Sequence, residues 1–114
     1  MILKPQFRAE LEFHFKEHDS GRRRWFMFGE DLHRRVPMHM DGVDGLNTVG
    51  MWVSQAGTFK EGDKVQVDCR VIVPDLYSPV IKPGAKFELW ESGFFATGTV
   101  LERIESGWQN EAKS

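Results

Sequence analysis

The side chains best suited to metal or acid–base chemistry are four histidines and a single cysteine. His14 and His18 are four residues apart. On an extended strand that separation is about 13 Å, too far to converge on one ion unless the strand has already ended. His39 alternates with Met38 and Met40, which turns it outward. Cys69 has no second thiol with which to complete a zinc set. It falls in step with Val65, Val67, Val71 and Val73, the pattern of an inert core thiol. The serines lie in turns, without the Gly-x-Ser-x-Gly context of an activated nucleophile. Carboxylate pairs such as Glu10 and Glu12 read as solubilising charge. The expectation is a chain with no catalytic centre, no metal and no cofactor.

Two stretches carry binding chemistry instead. Arg22, Arg23 and Arg24 are consecutive, Arg34 and Arg35 follow, and Trp25, Phe26 and Phe28 are interleaved. Arginines pair with phosphates while aromatic rings stack on bases, so this cluster is a candidate RNA surface for tRNA or rRNA. Its alternative is a solvated loop beside an aromatic barrel wall. The second stretch is Phe94 and Phe95, which follow Ser92-Gly93 where a turn ordinarily carries small or polar residues. Two such rings hold about 400 Å² of surface. Aromatic residues anchor protein interfaces, so Phe94, Phe95 and the nearby Trp90 are candidate contacts for a protein partner. The alternative is that one ring plugs the barrel. Phe94 has the parity of Ala96, so the two rings must face opposite ways. Trp90 faces outward if Phe87 and Leu89 face in, and an outward tryptophan calls for a cover. The segment around Trp108 is one candidate cover and a partner is the other.

The elements that must hold these residues are nearly all strands. Residues 7–16 alternate cleanly, with Phe7, Ala9, Leu11, Phe13 and Phe15 on one face and charged or polar residues on the other. Residues 36–40, 47–55 and 64–73 follow, and the two halves of 85–104 complete the set. Asp41-Gly42 and Asp44-Gly45 form a double turn signal between two of them. Residues 59–64 read as a turn, and 74–84, with three prolines, as a loop. Gly98 inside the last strand marks a bulge or a close backbone approach. Residues 28–35 are the single helix candidate. About six short antiparallel strands predict an all-β fold, a small barrel or sandwich. Closure into a barrel removes the exposed edges.

Composition sets the outer bounds. The 114 residues, 40% apolar and 28% charged, predict one globular domain. The barrel is expected over about 7–104, with extensions at 1–6 and 105–114. A chain of this size buries roughly two-thirds of its unfolded surface and needs no disulfide or metal to fold. The net charge of −2 argues against a polycation. No run of about 20 apolar residues is present and the first ten residues lack a signal-peptide core, so a cytoplasmic location with no membrane contact is the expectation.

Laid out in order, these landmarks resemble the third domain of bacterial elongation factor Tu. The likeness runs from about residue 7 to residue 104. The opening strand, the Ser20-Gly21-Arg22 loop with its aromatic run, the Gly62-Asp63 turn before a valine-rich strand, and the closing hairpin through Phe87, Glu91, Gly93 and Val100 carry it. The resemblance implies a six-stranded antiparallel barrel that contacts tRNA partly through the loop at Gly21 and Arg22. The chain carries no Gly-x-x-x-x-Gly-Lys-Ser/Thr phosphate loop, so no nucleotide binding of that family's kind is expected. Where the family's hairpin has an arginine and a threonine, this chain has Phe94 and Phe95. That exchange moves the expectation from RNA toward a protein partner.

Overall fold

The computed structural model describes residues 4–15 and 24–108. The alternating pattern dictates the first strand, β1 (Phe7–Phe13). It buries Phe7, Ala9, Leu11 and Phe13 while Arg8, Glu10 and Glu12 point outward. The chain continues through β2 (Trp25–Phe28), β3 (His33–Met40), β4 (Asn47–Trp52), β5 (Gly57–Lys60), β6 (Lys64–Val71), a single helical turn α1 (Pro74–Tyr77), β7 (Lys86–Trp90) and β8 (Phe94–Arg103). Six of the strands close into an antiparallel barrel in the order β1-β6-β4-β3-β7-β8. The all-β closed barrel expected from alternation is the fold observed. The Asp41-to-Gly45 turn joins β3 to β4, with Gly42 at φ 91° and Gly45 at φ 81°, a backbone region that favours glycine.

Among the described residues, the remaining strands, β2 and β5, pair only with each other. They form a lid over one end of the barrel, where Phe13 stacks on Phe26 at 5.6 Å and on Phe59 at 5.4 Å. The opposite end is filled by the connection after β6, which buries Tyr77 and Ile81. Arg103, at the end of β8, donates to the Ser78 carbonyl at 2.7 Å and the Ile81 carbonyl at 3.1 Å, fixing that plug. Gln6 is buried beside it, donating from its backbone N–H to the Cys69 carbonyl and accepting from the Val71 N–H. Trp108, in a 3₁₀ turn over Glu105–Trp108, donates its indole N–H to the Gln6 carbonyl at 2.9 Å.

Gly98 is a close-approach site. A Cβ there would stand 2.1 Å from the ring of Phe87, the register partner of Gly98 on β7. The register irregularities are elsewhere, between Arg8 and Ala9 on β1 and between Leu89 and Trp90 on β7.

Three expectations change. Residues 28–35 form no helix: they make a turn at Glu30-Asp31, pass through Leu32 at φ 61°, and enter β3. The turn expected at 59–64 begins two residues later, because Phe59 and Lys60 belong to β5. Trp108 does not cover Trp90. It packs at the Gln6 end of the barrel, and Trp90 lies at the lidded end, paired with Phe94.

Candidate functional site

The lidded end gathers most of the aromatic candidates. The β7–β8 turn has Ser92 at φ 55° and Gly93 at φ 136°, and closes with Glu91 N–H donating to the Gly93 carbonyl at 2.9 Å. Leu89 pairs with Ala96, but Trp90 pairs with Phe94, so Phe95 is an extra residue on β8. This bulge resets the alternation. Phe95 turns inward beside the inward Ala96, and Phe94 turns out.

The consequences for the two rings are opposite. Phe95 is 0% exposed and stacks at 4.9 Å on Phe26 and 6.4 Å on Phe13. As a candidate protein contact Phe95 is therefore corrected: it is a plug under the lid, fixed by rings on three sides. Phe94 is 42% exposed. Trp90 takes the outward parity of β7 and is half-buried, while Phe87 and Leu89 face the core.

On the lid itself, Phe26 and Phe28 point down into the barrel, so Trp25 and Met27 must point up. Trp25 is 54% exposed and Met27 45%. Met27 had no signal in the sequence, because a four-residue strand preceded by arginines shows too little alternation to be read. Arg34 ties this lid to the hairpin. It donates to the Met27 carbonyl at 2.7 Å and to the Glu91 carboxylate at 3.3 Å, and its guanidinium carbon lies 4.2 Å from the Phe26 ring centre.

The arginine cluster is divided by the fold. Arg22 and Arg23 lie outside the described residues. Arg24 is exposed and adjoins Trp25. Arg34 has the parity of the inward Val36 and is committed to the lid staple. Arg35 has the opposite parity and emerges on the outer wall, over β4. Alternation in β3 thus separates two arginines that are adjacent in sequence, and Arg35 is not part of a surface with Trp25.

Chemistry other than binding finds little geometry. Among the described residues no three His, Cys, Asp or Glu side chains stand close enough to share a metal ion. His18 lies outside the described residues. His14 reaches the Thr97 hydroxyl at 3.1 Å across the sheet. Cys69 is fully buried, and that burial, with the nearby Asp68 charge, pushes its thiol well above its ordinary pKa. Burial likewise raises the Tyr77 hydroxyl. Among the described residues no helix is long and apolar enough to cross a membrane. The chain matches no known protein family. Nor does it match a curated protein.

Proposed function

We propose that this barrel is a non-catalytic binding module that engages a protein partner through its lidded end, with Phe94 as the central anchor and Trp90, Trp25 and Met27 beside it. The observation that carries this reading is the separation of the two phenylalanines. Phe95 is fixed in a ring stack and Phe94, the residue before it, is held half-exposed on the same strand. An aromatic residue on a rigid strand loses little conformational freedom on binding, which is what an interface anchor requires. The partner would offer an apolar pocket for Phe94. A translation-factor-like barrel of this kind would serve a regulatory or inhibitory role, competing for a partner of such a factor.

A second reading, contact with tRNA or rRNA phosphates, is favoured by Arg24 and Trp25, exposed side by side on the lid. It loses Arg34 to the staple and Arg35 to another wall.

Salt and substitution separate the two. A protein contact anchored on Phe94 persists at 300 mM salt and is lost in Phe94→Ala. A phosphate contact weakens steeply with salt and is lost in Arg24→Ala. Partner capture unchanged by Phe94→Ala would overturn the first reading, and a tRNA gel shift with no complex at low salt would overturn the second.

A further inference from the structure

The barrel does not close along its full height. β4 pairs with β6 only from Val49 with Val71 to Trp52 with Asp68, while β6 begins at Lys64. On its other side β6 pairs with β1 from Cys69 up to Lys64. Beyond Trp52 the chain leaves β6. Val53 donates its N–H to the Leu32 carbonyl at 3.0 Å, toward β3, and β5 pairs with β2 instead of β6. Among the described residues, no strand lies against the β4 flank of residues 64–67.

Main-chain direction decides what this flank offers. Successive residues of an antiparallel strand send their N–H and C=O to opposite sides. The Phe13 N–H donates to the Asp63 carbonyl at 3.0 Å, and the Gln6 N–H to the Cys69 carbonyl at 2.8 Å. Odd-numbered residues along β6 therefore face β1, and even-numbered ones face β4. Arg70 and Asp68 meet Gly50 and Trp52 there. Gln66 and Lys64 face the same way and meet no strand. Each offers one N–H and one C=O, and the two positions are about 7 Å apart.

A groove of about 240 Å³ opens at this fork, between Ser54 on one side and Gln66 on the other. Val53 and Val67 also line it, yet their side chains are buried, so it is their main chain that reaches the groove. Its lower end is neutral, because Arg8 bonds Asp68 at 2.9 Å. At its upper end Lys64 is exposed and makes no ion pair among the described residues, although Glu12 is its register partner on β1. On the inner side Val65 is only half-buried, whereas Val67, Cys69 and Val71 are buried.

Two donor–acceptor pairs in line at the spacing of alternate residues match another extended chain. A compact ligand would satisfy one pair and leave the other. We infer that the β6 edge at Lys64–Gln66 binds an extended segment of a partner protein, added antiparallel where residues 54–56 would stand had β4 continued. The segment reads polar, apolar, acidic from its N-terminal side. The polar residue stands opposite Gln66, the apolar one turns inward over Val65, and the acidic one meets Lys64. In the barrel order β1 lies between β6 and β8, so this edge is separate from Phe94 and does not depend on the contact proposed there.

The test is a ¹H–¹⁵N NMR titration of the full chain with the peptide acetyl-Gly-Thr-Val-Asp-Gly-amide and two N-methylated forms. The expected result is saturable shifts at the Lys64 and Gln66 amides, with slower exchange of the Gln66 N–H when the peptide is bound. Methylation at both Thr and Asp removes the donors that face β6 and weakens binding at least tenfold. Methylation at Val, whose N–H faces away, leaves it within about threefold. Gln66→Pro removes the protein's donor at an edge position where no bond of the barrel is lost. It keeps the folded spectrum and weakens the peptide at least tenfold, and the methylated peptides test the same bonds without altering the protein. Phe94→Ala leaves the titration unchanged. Absence of saturable shifts, or equal binding by the doubly methylated peptide, overturns the inference, as does a Gln66 N–H already protected in the free chain. Loss of binding in Phe94→Ala overturns it in favour of the other site. Concentration-dependent shifts at Gln66 without peptide overturn it in favour of a second copy of this chain.

Discussion

Phe94 and Phe95 are consecutive in the chain and face opposite sides of the barrel wall, Phe95 at 0% exposure and Phe94 at 42%. The bulge that pairs Trp90 with Phe94 and leaves Phe95 as the extra residue makes this division. It yields a direct expectation. Phe95→Ala removes a ring from a closed stack and should destabilise the fold by about 3–5 kcal/mol. Phe94→Ala should change stability by no more than about 0.5–1 kcal/mol. Urea unfolding of the two variants reads the contrast. Equal losses would mean that both rings are structural.

Gly98 and Phe87 form a second coupled pair. Adding a methyl at position 98 drives it into the Phe87 ring, so Gly98→Ala should cost about 1–3 kcal/mol or more. Phe87→Leu alone also destabilises, by loss of ring contacts with Gly98 and Phe7. In the double variant the smaller side chain makes room for the methyl, so the combined loss should fall short of the sum of the two singles. A double-mutant cycle in urea measures the coupling, and strict additivity would contradict the contact.

Arg34 predicts behaviour of the lid rather than of the whole barrel. Its bonds to Met27 and Glu91 join β2 to the β7–β8 turn. Arg34→Ala should cost about 1–2 kcal/mol. It should also speed amide exchange in β2 and β5 before exchange in β1 and β6. Arg34→Lys should recover little, because a lysine cannot serve the carbonyl, the carboxylate and the Phe26 face together. Hydrogen exchange resolved by residue reads this, and uniform acceleration across all strands would count against a local staple.

Cys69 sets an alkaline limit. Its ordinary pKa is 9.0, and burial holds the folded thiol well above that. Between the two values the unfolded chain binds fewer protons than the folded one, so stability is intact below pH 9 and falls as pH rises. From pH 9 to 10 the loss attributable to this thiol is about 1 kcal/mol. Cys69→Ala should lower stability at pH 8 through its cavity, yet show a shallower decline from pH 9 to 10. Identical slopes for wild type and variant would refute the linkage. Tyr77, also raised by burial, adds its own decline from about pH 10 upward.

Much of the fold was legible because period-two alternation is a local property. β1 and β6 show it over seven and eight residues, and their inward residues belong to the core. The lid was not legible. β2 and β5 are four residues each, and their pairing joins segments far apart in sequence, from Phe28 with Gly57 to Trp25 with Lys60. His33, Arg34 and Arg35 hid the start of β3, since three polar residues conceal alternation even where the backbone is extended. The site was legible in part. Its rings were visible as types, and the need for them to face apart was visible as parity. Which ring goes in depends on the bulge at Phe95, which parity along one strand does not reveal.

The central claim is that Phe94, at the lidded end, is the point of contact with a protein partner. A photo-crosslinking phenylalanine analogue placed at position 94, compared in cells with the same analogue at Leu101 on the same strand, tests it most directly. Leu101 has matching exposure, 41% against 42%, and lies toward the opposite end of β8. The expected result is a discrete protein adduct from position 94 that persists at 300 mM salt and is absent from position 101. No adduct at 94, or the same adducts from both positions, would contradict it.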